Sequence, residues 1–285
     1  MTGPVLVAGA GGQLGRELVR VFGAARQAGL VVGLTRAELD VSDRAAVHAA
    51  VATHRPGLVV NCAAWTDVDG CELDPELAHR VNAAAPGFLR EACDDVGAHL
   101  VQISTDYVFD GLKVEPYLSS DSPAPVNSYG RSKLAGEYAA ADAHPDPLII
   151  RTGWLYGGGG SSFIQAILKR AATGKGLRVV DDQHGRPTWT RNLAEGTLEL
   201  LDAGAKGVVH FADGGEATWV DLARAALTLS GYEIEVEPVS TEEWGAPAPR
   251  PRYSVLDLTA TEAVLGCSMM HWREALRRFL EEESE

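Results

Sequence analysis

Tyr129 and Lys133, in the run Tyr129-Gly130-Arg131-Ser132-Lys133, are residue types that can move a proton. On a helix the spacing i, i+4 sets both side chains on one face. An ammonium beside a phenol favours the phenolate and lowers its pKa, which makes the tyrosine a usable proton donor or acceptor near neutral pH. A second cluster, Gly9-Ala10-Gly11-Gly12-Gln13-Leu14-Gly15, follows an apolar run and opens a helical one. Glycines permit a tight turn there and let the backbone approach a pyrophosphate. The helix start adds free N–H groups and the positive end of a dipole. A proton-transfer pair and a dinucleotide site are the two halves of a redox reaction.

Other residues fit around these two. Gly9, Gly12 and Gly15 have the G-x-x-G-x-x-G spacing of short-chain dehydrogenases, with Gln13 and Leu14 inside the turn. Arg36 lies just past the second apolar run, where an acid would suit a ribose 2′-hydroxyl and an arginine suits a 2′-phosphate. NADPH is therefore the expected cofactor and NADH the alternative. Asp40 and Val41 are candidates for the adenine pocket, with Ser42 a candidate helix cap as well. Asn61-Cys62-Ala63-Ala64-Trp65-Thr66 ends the third apolar run in small residues, and Ala63, Ala64 and Thr66 leave room for a ligand at a sheet edge. Thr105, in Ser104-Thr105-Asp106-Tyr107-Val108-Phe109-Asp110-Gly111, can donate a hydrogen bond to a substrate carbonyl and hold the developing oxyanion.

The elements that must position these residues alternate. Strands are expected at Val5–Ala8, Val31–Thr35, Leu58–Cys62, His99–Ser104 and Pro147–Arg151. Helices are expected at Leu14–Phe22, Asp43–His54 (stopped by Pro56), Pro75–Gly97 (with a break near Ala85-Pro86) and Ser128–Asp142. Short apolar strands between helical patterns indicate buried parallel βαβ units and a doubly wound Rossmann sheet. After Thr152 the rhythm changes. The flexible run Gly157–Gly160 precedes helical Ser162–Thr173, strand-like Leu177–Val180, helical Arg191–Ala203, a last sheet strand Gly207–Phe211, helical Trp219–Ser230, strand-like Glu233–Val239 and helical Trp272–Leu280. This divides the chain into a dinucleotide-binding domain, 1–155 plus 189–213, and a smaller α/β substrate lobe, 156–188 plus 214–285.

Composition narrows the classes. The 285 residues are 46% hydrophobic and carry a net charge of −14, which disfavours nucleic acid or an anionic membrane as partner. No apolar run reaches the ~18 residues of a membrane span. The N-terminal residues lack the basic and apolar regions of a secretion signal, so a cytoplasmic protein is expected. Cysteines at 62, 71, 93 and 267 form no Cys-x-x-Cys pair and no zinc spacing, which reads as reduced thiols and no metal site. The acidic tail 281–285 is expected to be the solvated end of the last helix.

The runs Gly9–Gly15, Asn61–Thr66, Ser104–Gly111, Pro125–Lys133 with Gly136-Glu137, Arg151–Tyr156 and Asp182–Thr188 resemble those of dTDP-4-dehydrorhamnose reductases, a family of extended short-chain dehydrogenase/reductases. The likeness runs through essentially the whole chain, and the Ser-Thr-Asp-Tyr-Val-Phe-Asp-Gly run is its most specific part. Nucleotide-sugar dehydratases follow the Asp with a catalytic Glu, whereas Tyr107 stands here, so the acid for elimination is missing. The resemblance implies NADPH-dependent reduction of the C4 ketone of a dTDP-4-keto-6-deoxysugar to a dTDP-L-rhamnose-like product. Tyr129 would be the proton donor, Lys133 would lower its pKa and bond the nicotinamide ribose, and Thr105 would orient the carbonyl. Trp154 corresponds to the family's sugar-packing tryptophan, and Arg250, in Arg250-Pro251-Arg252-Tyr253-Ser254, to the segment that meets the diphosphate. Three positions depart from the pattern. Ser162 replaces a frequent Asn, and Trp65 replaces a frequent His beside nicotinamide and sugar. Arg191 stands where a second acid would join Glu17 in a magnesium-bridged dimer, so a monomer or weak homodimer without bridging magnesium is expected. The competing readings are a 4-ketoreductase for another dTDP-deoxysugar, such as a streptose-type precursor, and a non-catalytic regulatory or binding subunit of the same fold.

Overall fold

Parallel strands β1 (Val5–Ala8), β2 (Val31–Leu34), β3 (Leu58–Asn61), β4 (His99–Thr105) and β5 (Leu148–Thr152) build the central sheet. The computed structural model describes residues 3–25, 30–141, 146–160 and 162–283. Alternate residues of each strand point to opposite faces, and both faces are apolar. Val5, Val7, Leu58, Val60, Val101 and Ile103 pack on helices α1 (Gln13–Ala25) and α8 (Thr190–Asp202). Leu6, Ala8, Val59 and Leu100 pack on α2 (Arg44–His54), α5 (Ala85–Val96) and α6 (Ser128–Ala141).

The later strands are short. β6 (Leu155–Tyr156) pairs β9 (Thr188–Trp189), β7 (Leu177–Val180) pairs β12 (Val236–Val239), and β8 (His184–Gly185) pairs β11 (Ala217–Thr218). Among the described residues only β10 (Gly207–His210) returns to the central sheet, whose order is β10-β5-β4-β3-β1-β2. The chain reverses direction of travel across the sheet at β1, between β2 and β3. A crevice opens at such a switch point, beyond the carboxyl ends of the strands. Gly9, Asn61, Thr105 and Thr152 all stand at those ends. The later helices are α7 (Phe163–Ala171), α9 (Trp219–Leu229), α10 (Thr241–Trp244), α11 (Thr259–Leu265) and α12 (Trp272–Glu282). Among the described residues no helix is long and apolar enough to cross a membrane.

Several expectations change in detail. Asp43, not Ser42, caps α2: its carboxylate accepts from Ala45 N and Ala46 N, while the Ser42 hydroxyl donates to Asp40. Arg55, left-handed at φ 42° and its N–H donating to Val51 O, closes that helix just before Pro56. The break expected near Ala85-Pro86 is a π turn, Arg80–Ala84, joining α4 (Pro75–His79) to α5. Pro86 lacks an N–H for the carbonyl of Asn82, and the widened turn follows from that missing bond. The helix α3 (Val68–Leu73), begun by the Asp67 carboxylate accepting from Gly70 N, has too few residues to show a period. Asp142, at the end of the expected α6, and Ser284 and Glu285 of the acidic tail lie outside the described residues.

One buried network fixes α6 to the sheet. Glu137 accepts from Arg151 Nη2 at 2.7 Å and Nε at 2.9 Å, and from the Ser104 hydroxyl. Both charged side chains are under 5% exposed. Breaking a buried pair leaves one charge without compensation, at a cost of about 3–5 kcal/mol. Glu137→Ala should lower the urea unfolding free energy by about that amount; a loss typical of a surface pair would show that the network contributes little.

Candidate functional site

The glycine turn is shaped by close approaches. Gly9 has φ +86°, and a Cβ there would lie 2.7 Å from Ala63 N; one on Gly15 would lie 2.2 Å from Gly9 O. Gly12 meets nothing nearer than Gly9 O at 3.5 Å, so its outer face stays open. The turn opens into a cavity of about 600 Å³ whose wall includes Gly9, Gly12, Gln13, Leu14, Gly15, Ala64 and Thr66, and farther along Thr105, Tyr107, Tyr129, Lys133 and Trp154. A tight turn with bare backbone at the start of α1, opening into a long cavity, fits a dinucleotide pyrophosphate.

Four predicted cofactor residues are off that wall. Ala63 backs Gly9, and its N–H donates to Asn61 Oδ1. Arg36 and Asp40 are exposed beyond β2. Asp40 holds the Ser42 hydroxyl at 2.7 Å, which keeps its carboxyl below the ordinary value, with a smaller effect from Arg36. Val41 is buried in the core with Leu39 and Val47. Any contact of Arg36 with a 2′-phosphate would therefore be made at the open surface.

Helix α6 presents the proton-transfer pair. Asn127 caps it, accepting from Gly130 N at 2.7 Å and donating to Pro249 O. A Cβ on Gly130 would fall 2.1 Å from Tyr107 O, so glycine is what lets α6 approach the turn after β4. That approach sets the Tyr129 ring 5.8 Å from the Tyr107 ring and the phenol against the Thr105 hydroxyl. Lys133, one turn on, donates from Nζ to Ile103 O at 2.7 Å. Burial lowers its pKa to about 8, with Glu137 pulling the other way.

The expected lowering of the Tyr129 pKa is not found. Burial pushes the phenol above its ordinary value, and the group that opposes this is Thr105. Lys133 directs its ammonium to a backbone carbonyl instead. Thr105 donates to Asp106 Oδ1 at 3.0 Å and accepts from Tyr107 N at 3.2 Å.

At the far end of the cavity, Trp154 stacks on Trp219 with centroids 3.5 Å apart and planes 2° from parallel. Trp154 has φ +52°, rare for a bulky residue, and Gly185 makes room for its ring. A second cavity of about 450 Å³ shares Val68, Tyr107, Phe163 and Trp219 with the first and is bordered by Arg250. Arg250 is partly committed: Nη1 donates to Asp69 Oδ1 at 2.6 Å and to Ala248 O. Ser162 lines the first cavity and caps α7. Trp65, expected beside nicotinamide and sugar, packs on Gly70 instead. Arg191 reaches Glu17 at 3.5 Å and bonds Glu282, placing a cation among these carboxylates. Among the described residues no group of three or more His, Cys, Asp or Glu side chains could hold a metal ion.

Sequence reasoning missed Asn82, Asn127, Ser254 and Trp219. Asn82 ties both backbone polar groups of Trp65 to the Ser132 hydroxyl of α6. Asn127 carried a legible signal, an Asn directly before a helix. The others carried none.

The family described as RmlD substrate binding domain matches residues 2–285. A dTDP-4-dehydrorhamnose reductase of Streptomyces griseus is 44% identical over 278 residues, 95% of this chain and 91% of the relative. A dTDP-4-keto-6-deoxy-D-glucose reductase of Streptomyces niveus is 43% identical, covering 97% of this chain and 96% of its own. The crystal structure of a Bacillus anthracis dTDP-4-dehydrorhamnose reductase in complex with NADP superposes with a TM-score of 0.93 at 35% identity, covering 99% of this chain and all of that one.

The depressed Lys133 pKa has a sign that can be checked. Between about pH 8 and the ordinary lysine value of 10.5, the unfolded chain holds a proton that the folded chain has released. Stability from this group therefore rises with pH through that window. Relative to Lys133→Met, the native protein should gain up to about 3 kcal/mol in urea unfolding across it. Parallel pH dependences would show that Lys133 keeps an ordinary pKa.

Proposed function

The chain belongs to the dTDP-4-dehydrorhamnose reductase family, and we propose that it reduces the C4 ketone of a dTDP-4-keto-6-deoxyhexose with NADPH, giving dTDP-L-rhamnose from dTDP-4-dehydro-L-rhamnose. The observation that carries this reading is a single cavity that joins the glycine turn to Thr105, Tyr129 and Lys133. Residues 1–155 plus 189–213 hold the cofactor, and 156–188 plus 214–285 hold the nucleotide sugar.

When bound, NADPH supplies the hydride that the C4 carbon accepts. The carbonyl π pair then moves onto oxygen, and Tyr129 gives that oxygen its phenolic proton. A phenol raised by burial remains a competent donor, because the developing alkoxide is a stronger base than phenolate. Thr105 orients the carbonyl, Lys133 bonds the nicotinamide ribose with the N–H groups that Ile103 O leaves available, and the Tyr129 phenolate left behind recovers its proton from water. Trp154 and Tyr107 flank the sugar. Arg250, at the border of the second cavity, meets the diphosphate with donors that Asp69 and Ala248 leave available. The similar identity to a dTDP-4-keto-6-deoxy-D-glucose reductase favours a second reading, reduction of another dTDP-deoxysugar at the same site. NADPH oxidation with enzymatically generated dTDP-4-dehydrorhamnose, and NMR of the product, tests both. Turnover to dTDP-L-rhamnose supports the first reading. Turnover only with another keto-sugar supports the second.

Tyr129→Phe should lower kcat by roughly 10²–10⁴ with little loss of NADPH binding; a wild-type rate would remove Tyr129 from the mechanism. Arg36→Asp should turn cofactor preference from NADPH toward NADH. An unchanged ratio of kcat/KM values would mean that Arg36 does not meet the 2′-phosphate.

A further inference from the structure

Asp106 is a buried carboxylate on the cavity wall, 2% exposed, at the end of β4. Each of its oxygens accepts a hydroxyl proton, Oδ1 from Thr105 at 3.0 Å and Oδ2 from Ser254 at 2.5 Å. Among the described residues no cation forms an ion pair with it. The groups facing it are Tyr107 on its own turn, the Tyr129 phenol of α6, the neutral Ser254 hydroxyl of the C-terminal segment, and the bare backbone of Gly153, whose Cβ would lie 2.7 Å from the carboxyl. A carboxylate held by two hydroxyls and the backbone N–H groups of Asp106 and Tyr107, with no cation, is poised between its two protonation states.

We propose that Asp106 is a positioning residue whose protonation decides whether the Thr105 hydroxyl gives its proton to Asp106 or to the substrate carbonyl. A threonine hydroxyl has one proton and two lone pairs. As arranged here, the proton goes to Asp106, Tyr107 N–H takes one lone pair, and the Tyr129 phenol lies against the same hydroxyl. Thr105 in this state can only accept from a ligand. A protonated Asp106 still accepts from Ser254 and donates to Thr105 Oγ, and the Thr105 proton then turns to the cavity, toward the oxygen that Tyr129 protonates. Burial already raises the Asp106 pKa to about 6, against the pull of the two hydroxyls and of the Asp106 and Tyr107 backbone N–H groups. A sugar that displaces water from the cavity pushes it further the same way. Ser254 comes from the segment that carries Arg250, so the nucleotide side of the cleft also takes part in setting this proton.

The inference rests on the proposed role of Thr105, and the experiment separates the two. The pH dependence of kcat/KM is measured for the native protein, Asp106→Asn, Ser254→Ala and Thr105→Val with dTDP-4-dehydrorhamnose or whichever dTDP-keto-sugar turns over. Native kcat/KM should rise as pH falls through a limb near the Asp106 pKa. Asp106→Asn, whose amide donates at every pH, should lack that limb. Ser254→Ala, which removes a donor to the carboxylate, should move it to higher pH. Infrared difference spectra of the cofactor-free protein should show a protonated carboxyl stretch that titrates with the same midpoint, is absent in Asp106→Asn, and shifts in Ser254→Ala. Native limbs and native spectra in both variants would overturn the inference while Thr105→Val still lost activity. Full activity in Thr105→Val would overturn the role of Thr105 and the inference together. If Asp106→Asn does not fold, the direction of the Ser254→Ala shift decides.

Discussion

The Arg151–Glu137 pair is the constraint on which the site depends. It is a two-point bond between the last residues of β5 and the middle of α6, closed by Ser104 of β4. Taking two charges out of water is costly unless their hydrogen bonds are met, and a guanidinium facing a carboxylate along two bonds meets that need in only one orientation. The Arg151 guanidinium also lies over the Phe109 ring at 5.2 Å, so it is fixed from a second side. Apolar packing would tolerate α6 sliding or rotating by some tenths of an ångström. This pair does not, and Lys133 and Tyr129 lie one and two turns before Glu137 on the same helix.

The close approach of α6 follows from two glycines. Gly130 faces Tyr107 O and Gly136 faces Asn82 O, each so near that a Cβ would stand 2.1 Å from the oxygen. Asn82 lies within the π turn, and its side chain holds both the Trp65 backbone and Ser132. The widened turn is thus the point where the end of β3 and the proton-transfer helix are tied together. Local strain and functional position coincide here, as π turns often do. The left-handed Trp154 is a second such place: its conformation is held by Trp219 on one face and Gly185 on the other.

What the sequence discloses is mostly local. A glycine turn after an apolar run, Asp or Asn before a helix, and Pro56 after one are short-range signals. The strands, most helices and the backbone cradle could be read from them. The Tyr129–Lys133 spacing is likewise a helix property, and the two residues do share the cavity. The electrostatics could not be read so, because they depend on burial. Lys133 meets Ile103 O, thirty residues away, before it can act on the phenol. Arg36 looks like a ligand arginine by position, yet it stands on open surface. The pairs Asp106–Ser254 and Asp69–Arg250 join residues 148 and 181 positions apart, with nothing in either neighbourhood to announce the partner.

Those long-range bonds share one geometry. Asp69 holds Ala248 N and Arg250, Asn127 holds Pro249 O, and Asp106 holds Ser254. The segment 248–254 is therefore bound at three points to α3, to the cap of α6 and to the end of β4. Each of these is also a support of the proton-transfer groups. Arg250 and Thr105 are far apart in the sequence, but their positions are set by neighbouring bonds of one strip of chain. A ligand that pulls Arg250 away from Asp69 would transmit its pull along Pro251–Ser254 to Asp106. Such coupling needs no large domain motion, only a competition for hydrogen bonds within a strip whose other contacts stay in place. A diphosphate is suited to that competition, because it offers an arginine two anionic oxygens in the fork geometry that Asp69 meets through a single nitrogen.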